Sequence, residues 1–98
     1  MRAREEVFKI IEENREALRR LGVRRLGLFG SAARGEAGAA SDLDFVVELE
    51  HKTFDAYMDV KLLLEGLFVR HVDLVLADSI KPRLRPIILR EATYAPGF

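Results

Sequence analysis

The 98 residues, about half of them apolar (49%) and a third charged (33%), suit one compact domain over 1–98 and leave no room for a second one carrying its own substrate site. Sixteen basic side chains balance sixteen acidic ones, which excludes a global field drawing the molecule to nucleic acid or to an anionic membrane. Cysteine is absent, excluding disulfides, thiolate metal sites and cysteine nucleophiles, and no apolar run nears the roughly 20 residues that span a bilayer, so the expected location is the cytoplasm.

In chain order, Val7, Ile10, Ile11, Leu18 and Leu21 recur at helical spacing and predict an amphipathic helix over roughly residues 4 to 21, stopped by Gly22. The apolar run Leu26 to Phe29 reads as a strand that enters a tight turn at Gly30-Ser31, where Ser31 can cap one short helical turn. Gly35, Ala37, Gly38, Ala39, Ala40 and Ser41 offer little to a core and read as loop. From Asp42 to Leu49 the pattern alternates. Leu43, Phe45, Val47 and Leu49 share one face of a strand, and Asp42, Asp44, Val46 and Glu48 the other.

Phe54 to Leu67 predicts a long helix, apolar on more than one side, followed by a third strand over 69–77. In that strand Val72, Leu74 and Leu76 point one way and His71, Asp73 and Val75 the other. Asp78 or Ser79 caps a final helix with Pro82 in its first turn and Leu84, Ile87 and Ile88 facing inward. The order helix, strand, short helix, strand, helix, strand, helix predicts an α/β (α+β) fold with a three-stranded mixed sheet packed against helices. A right-handed crossover through the long helix makes the second and third strands parallel neighbours, so Asp44 and Asp73 can meet. If the first two strands are antiparallel, Gly30 ends beside Asp42.

Two carboxylates two residues apart on a strand project from one face, about 6 to 7 Å apart at the backbone, and can share a metal. Mg²⁺ prefers oxygen ligands and keeps positions open for water and substrate phosphates, which suits Asp42 and Asp44. Two such ions about 3.5 to 4 Å apart activate an attacking oxygen and stabilise a leaving one, so a third carboxylate is expected nearby, and Asp73 is the candidate. Without cations the three would repel, so the site should gain stability on binding metal. Gly30-Ser31 offers backbone amides to phosphate oxygens, and Arg34 can reach the same phosphates. His71 shares the face of Asp73, but a lone histidine near a strand start is more often structural and is not assigned as ligand or base. The cluster Arg19, Arg20, Arg24 and Arg25 reads as a solvated helix end.

Gly30-Ser31, ten residues, then Asp42-Leu43-Asp44, with Arg34-Gly35 in the gap and Val72-Asp73-Leu74-Val75 later, closely resembles the minimal nucleotidyltransferase family of the DNA polymerase β superfamily. The resemblance covers nearly the whole chain. It implies that Gly30 and Ser31 bind the triphosphate, that Asp42, Asp44 and Asp73 bind two Mg²⁺ ions and act catalytically, and that ATP is the substrate. It also implies an antitoxin that transfers AMP to a tyrosine of a HEPN-domain ribonuclease toxin. Leu67-Phe68-Val69-Arg70 departs from the family, where glycine often precedes a basic residue ahead of the third strand. Two rival readings are a module that masks its partner by contact alone and a nucleotidyltransferase acting on a small molecule or RNA. The first would survive loss of Asp42 and Asp44. The second would call for a further domain or a concentrated basic face, and neither is visible.

Overall fold

A computed structural model of the chain describes residues 3–34 and 42–98, except the side chains of Ala3, Ser31 and Ala32. Helices α1 (Ala3–Glu13) and α2 (Arg15–Arg20) precede strand β1 (Val23–Phe29), the single turn α3 (Gly30–Ala33) and strand β2 (Leu43–Leu49). Helix α4 (Phe54–Phe68), strand β3 (Val72–Leu76), a 3₁₀ turn (Ala77–Ser79), helix α5 (Arg85–Glu91) and strand β4 (Thr93–Tyr94) complete the order. The sheet runs β3-β2-β1-β4. As expected, β2 lies antiparallel to β1 and parallel to β3.

The alternation in β2 and β3 sorts side chains onto two faces. Leu43, Phe45, Val47, Leu49, Val72 and Leu74 join Val7, Ile11, Leu18, Val60 and Leu64 in the main core beneath the helices. On the other face Val46, Ala77 and Ile80 form a smaller cluster with Phe29, Val75, Ile88 and Tyr94. Tyr57 donates its hydroxyl proton to the Leu74 carbonyl at 2.6 Å, fixing α4 against β3. Thr53 caps α4 by accepting from the Ala56 amide at 3.1 Å.

Five expectations need correction. The first helix is interrupted at Asn14, whose side-chain amide donates to the Ile10 carbonyl at 2.8 Å, a local bond that competes with helix continuation. The sheet has four strands, because Tyr94 pairs with Gly27 and the Ala95 amide donates to Leu26 at 2.8 Å. Gly27 admits this closeness: a Cβ there would stand 3.1 Å from the Tyr94 ring. The last helix begins at Arg85 with Pro86, not Pro82, in its first turn, because Asp78 lies in the 3₁₀ turn, paired with Lys52 and Arg85. Of its expected inward residues only Ile88 packs, while Leu84 and Ile87 are exposed.

The third strand also begins later, at Val72, because residue 69 caps α4 instead. Val69 holds φ 51° and ψ 46°, the left-handed conformation that glycine adopts freely and a β-branched residue adopts at a cost. It stands where the resemblance leads one to expect glycine, and its side chain is exposed, so it recovers little by packing. Val69→Gly should therefore raise stability by about 0.5–1 kcal/mol, the relief of left-handed strain exceeding glycine's extra chain entropy. Chemical denaturation checks this, and an unchanged or lower midpoint would count against the strain.

Candidate active site

Strand register brings the acidic side chains together. Asp44 is the ladder partner of Phe29 on β1 and of Asp73 on β3, so the carboxylate-bearing positions of β2 and β3 lie side by side at the sheet end where β1 gives way to α3. Asp42 immediately precedes β2. The Leu43 amide, next to it, donates to the His71 carbonyl at 3.2 Å, and the Val72 amide donates to the Glu65 carboxylate at 3.1 Å. The first bond pins the start of β3 beside the start of β2, and the second ties it to the last turns of α4.

Gly30 completes the arrangement from β1. Its φ is +76°, and a Cβ built on it would stand 2.4 Å from Asp44 Oδ2 and 3.2 Å from its Cγ. The Asp44 carboxylate thus occupies space that only glycine leaves open, which ties the glycine-serine turn and the first acidic pair into one unit. Ser31 follows within α3; its side chain lies outside the described residues, as does the predicted loop at 35–41.

Asp44 is half-buried among like charges. Burial, then the charge of Asp73 and a hydrogen bond shared with it, then the charge of Asp42, push the Asp44 carboxyl above its ordinary value, with Arg34 opposing. Asp42 and Asp73 are exposed, with side-chain accessibilities of 55% and 52%. His71 Nδ1 stands 3.4 Å from Asp42 Oδ2 and 3.7 Å from Asp73 Oδ1. One donor atom from each of Asp42, His71 and Asp73 falls within 4.8 Å of the others. Arg34 acts electrostatically on Asp44 while its Nη1 lies 3.5 Å from Glu91 Oε1 on α5.

The structure therefore gathers Asp42, Asp44, Asp73 and Gly30 at one edge, with Arg34 near enough to act on Asp44. The sequence reading set His71 aside, although strand parity had put it on the face of Asp73. It did not foresee Glu91, because nothing in the sequence signalled that α5 returns to Arg34. Converging carboxylates, open to solvent on one side, offer the hard oxygen donors that a divalent cation takes. The crowding that raises Asp44 is relieved when a cation neutralises the group.

The family model described as a nucleotidyltransferase domain matches residues 9–95. This chain belongs to that family. The protein from Thermococcus cleftensis named protein adenylyltransferase MntA is 38% identical over 92 residues, spanning 92% of this chain and 93% of its own. A solved structure described as a minimal nucleotidyltransferase is 42% identical with a TM-score of 0.73, over 88% of this chain and 93% of that one. A complex of a tri-AMPylated HEPN toxin with its MNT antitoxin from Shewanella oneidensis contains a chain with the same fold, at 19% identity and a TM-score of 0.61 over 100% of this chain and 74% of that one. The protein is thus a nucleotidyltransferase of the minimal type. No helix among the described residues is long and apolar enough to cross a membrane.

Proposed function

We propose that residues 1–98 act as one catalytic unit that transfers AMP from ATP to a hydroxyl of a partner protein, a HEPN-domain toxin, and so serve as its antitoxin in the cytoplasm. The observation that carries this reading is the packing of Asp44 into the space left by Gly30, with Asp73 as its ladder partner. It joins a phosphate-binding turn to a carboxylate cluster in the manner the reaction needs. The kinship with a protein named adenylyltransferase and the fold shared with an antitoxin bound to an AMPylated toxin support the choice of acceptor.

In this reading Asp42, Asp44 and Asp73 would hold two Mg²⁺ ions, which when bound would supply charge neutralisation of the triphosphate and of the oxygens at which charge develops. Asp42 and Asp44 orient the α-phosphate from β2, and Asp73 stands beside the incoming acceptor hydroxyl. The backbone amides of Gly30 and Ser31 hold the phosphates that leave, with Arg34 adding positive charge as it shifts from Glu91. The acceptor oxygen gives its proton to the adjacent Asp73 carboxylate, which passes it to solvent, and forms a bond to the α-phosphorus as the bond to pyrophosphate breaks. A protein acceptor fits because it brings its own binding surface to the solvent-open carboxylates.

Incubation with α-labelled ATP, Mg²⁺ and a HEPN-domain toxin tests the reading. Label on the partner, with pyrophosphate released, is the expected result. A tight complex that neutralises the toxin yet stays unlabelled would replace the transferase with a masking module.

A further inference from the structure

The backbone that carries His71 is tied down on both sides. Its carbonyl accepts the Leu43 amide, and the next amide, from Val72, is held by Glu65. These bonds fix the backbone around residue 71, and its imidazole lies between Asp42 and Asp73, with Nδ1 at 3.4 and 3.7 Å from their nearer oxygens. Donors on adjacent corners of an octahedral cation with bonds of about 2.1 Å stand about 3 Å apart, and opposite corners about 4.2 Å. The three donor atoms lie within 4.8 Å of one another, so movements of about half an ångström, ordinary for surface side chains, bring them onto one ion.

We infer that His71 Nδ1 is a nitrogen ligand of the cation bound by Asp42 and Asp73, and that this position therefore binds a first-row transition cation such as Mn²⁺ more tightly than the Mg²⁺ it also accepts. This deepens, and rests on, the metal-binding role proposed for the two aspartates. The chemistry follows from the donor set. Mg²⁺ gains little from imidazole, whereas affinity for nitrogen rises along the series from Mn²⁺ to Cu²⁺. An all-carboxylate site would leave that discrimination weak; one imidazole builds it in.

The alternative role for His71 is that of a cation paired with two carboxylates, and the two roles predict opposite effects of removing it. An ion-pair partner competes with metal, so its loss would strengthen cation binding. Loss of a ligand weakens it.

The test measures Mn²⁺ and Mg²⁺ binding calorimetrically in the full chain and records the electron spin echo modulation of bound Mn²⁺. Two variants are compared: His71→Val, which suits a strand start and carries no donor, and His71→Asn, which restores an oxygen donor only. The parent should show ¹⁴N modulation. His71→Val should lose it and bind Mn²⁺ about tenfold more weakly with a much smaller change for Mg²⁺, and His71→Asn should recover part of the affinity without the nitrogen signal. Modulation absent from the Mn²⁺-bound parent, or tighter binding in His71→Val, would overturn the inference and leave the transferase reading standing. A nitrogen signal without label transfer to the toxin would sustain the ligand and remove the proposed reaction. If the parent binds neither cation, both fall.

Discussion

Replacing Asp42 and Asp44 together by asparagine is expected to lower AMP transfer at least about a hundredfold, and to leave the metal-free fold more stable than the parent. The loss follows from removing the paired oxygen donors of β2, since even changes to groups that only support a ligand cost about 10- to 100-fold. The gain follows from Asp44, whose carboxyl is pushed up by burial and by its acidic neighbours. A raised carboxyl takes its proton more readily folded than unfolded, so the folded state binds more protons between the two values. Stability is therefore full below the ordinary carboxyl range and is lost as pH rises through the elevated value of Asp44. The asparagine variant lacks that loss.

Thermal melts in chelator across mildly acid to neutral pH should show the parent declining relative to the variant. Adding a divalent cation should raise the melting temperature of the parent and not of the variant, because binding to the folded state alone stabilises it. A variant that melts lower than the parent in chelator at neutral pH would mean the carboxylates are not in conflict. The same variant separates catalysis from masking: a protein that acts by contact alone keeps neutralising its toxin without Asp42 and Asp44.

The second large effect is expected at Gly30. An alanine there must adopt a φ of +76°, which costs about 1–2 kcal/mol for a residue with a Cβ. The Cβ would also sit 2.4 Å from Asp44 Oδ2, and the cheapest response is rotation of the carboxylate away. Stability thus falls modestly while function falls steeply, because the displaced group is the one that the site is built around. Transfer should drop by about two orders of magnitude, since misplacing a reactive group by an ångström costs about 10²-fold. Denaturation and label transfer measured on the same preparation check both halves. Near-normal transfer in Gly30→Ala would show that Asp44 tolerates being moved.

Much of this was legible along the chain. Alternation in β2 and β3 placed the apolar and acidic faces correctly, because a strand's side-chain period of two leaves no freedom once one face is buried. Gly22 and Gly30, both with positive φ in the structure, marked a helix end and a turn where the sequence suggested them. The long helix over residues 54 to 67 extended by only one residue. Local pattern failed where a distant contact decided the outcome. Two residues are too few for any periodic signal, so β4 exists only because Gly27 leaves a place for Tyr94, whose ring also lies 4.1 Å beneath Arg25.

The sequence by itself determined the residue types, the faces they occupy and the separation of the glycine turn from the first acidic pair, because these depend on backbone geometry within a few residues. Only the tertiary structure decided that Asp44 fills the space beside Gly30, that His71 lies between Asp42 and Asp73, and that Glu91 meets Arg34. Those contacts join residues that are neighbours through strand register and helix packing rather than through sequence. Register is set by the whole core at once, so no local stretch of the chain encodes it.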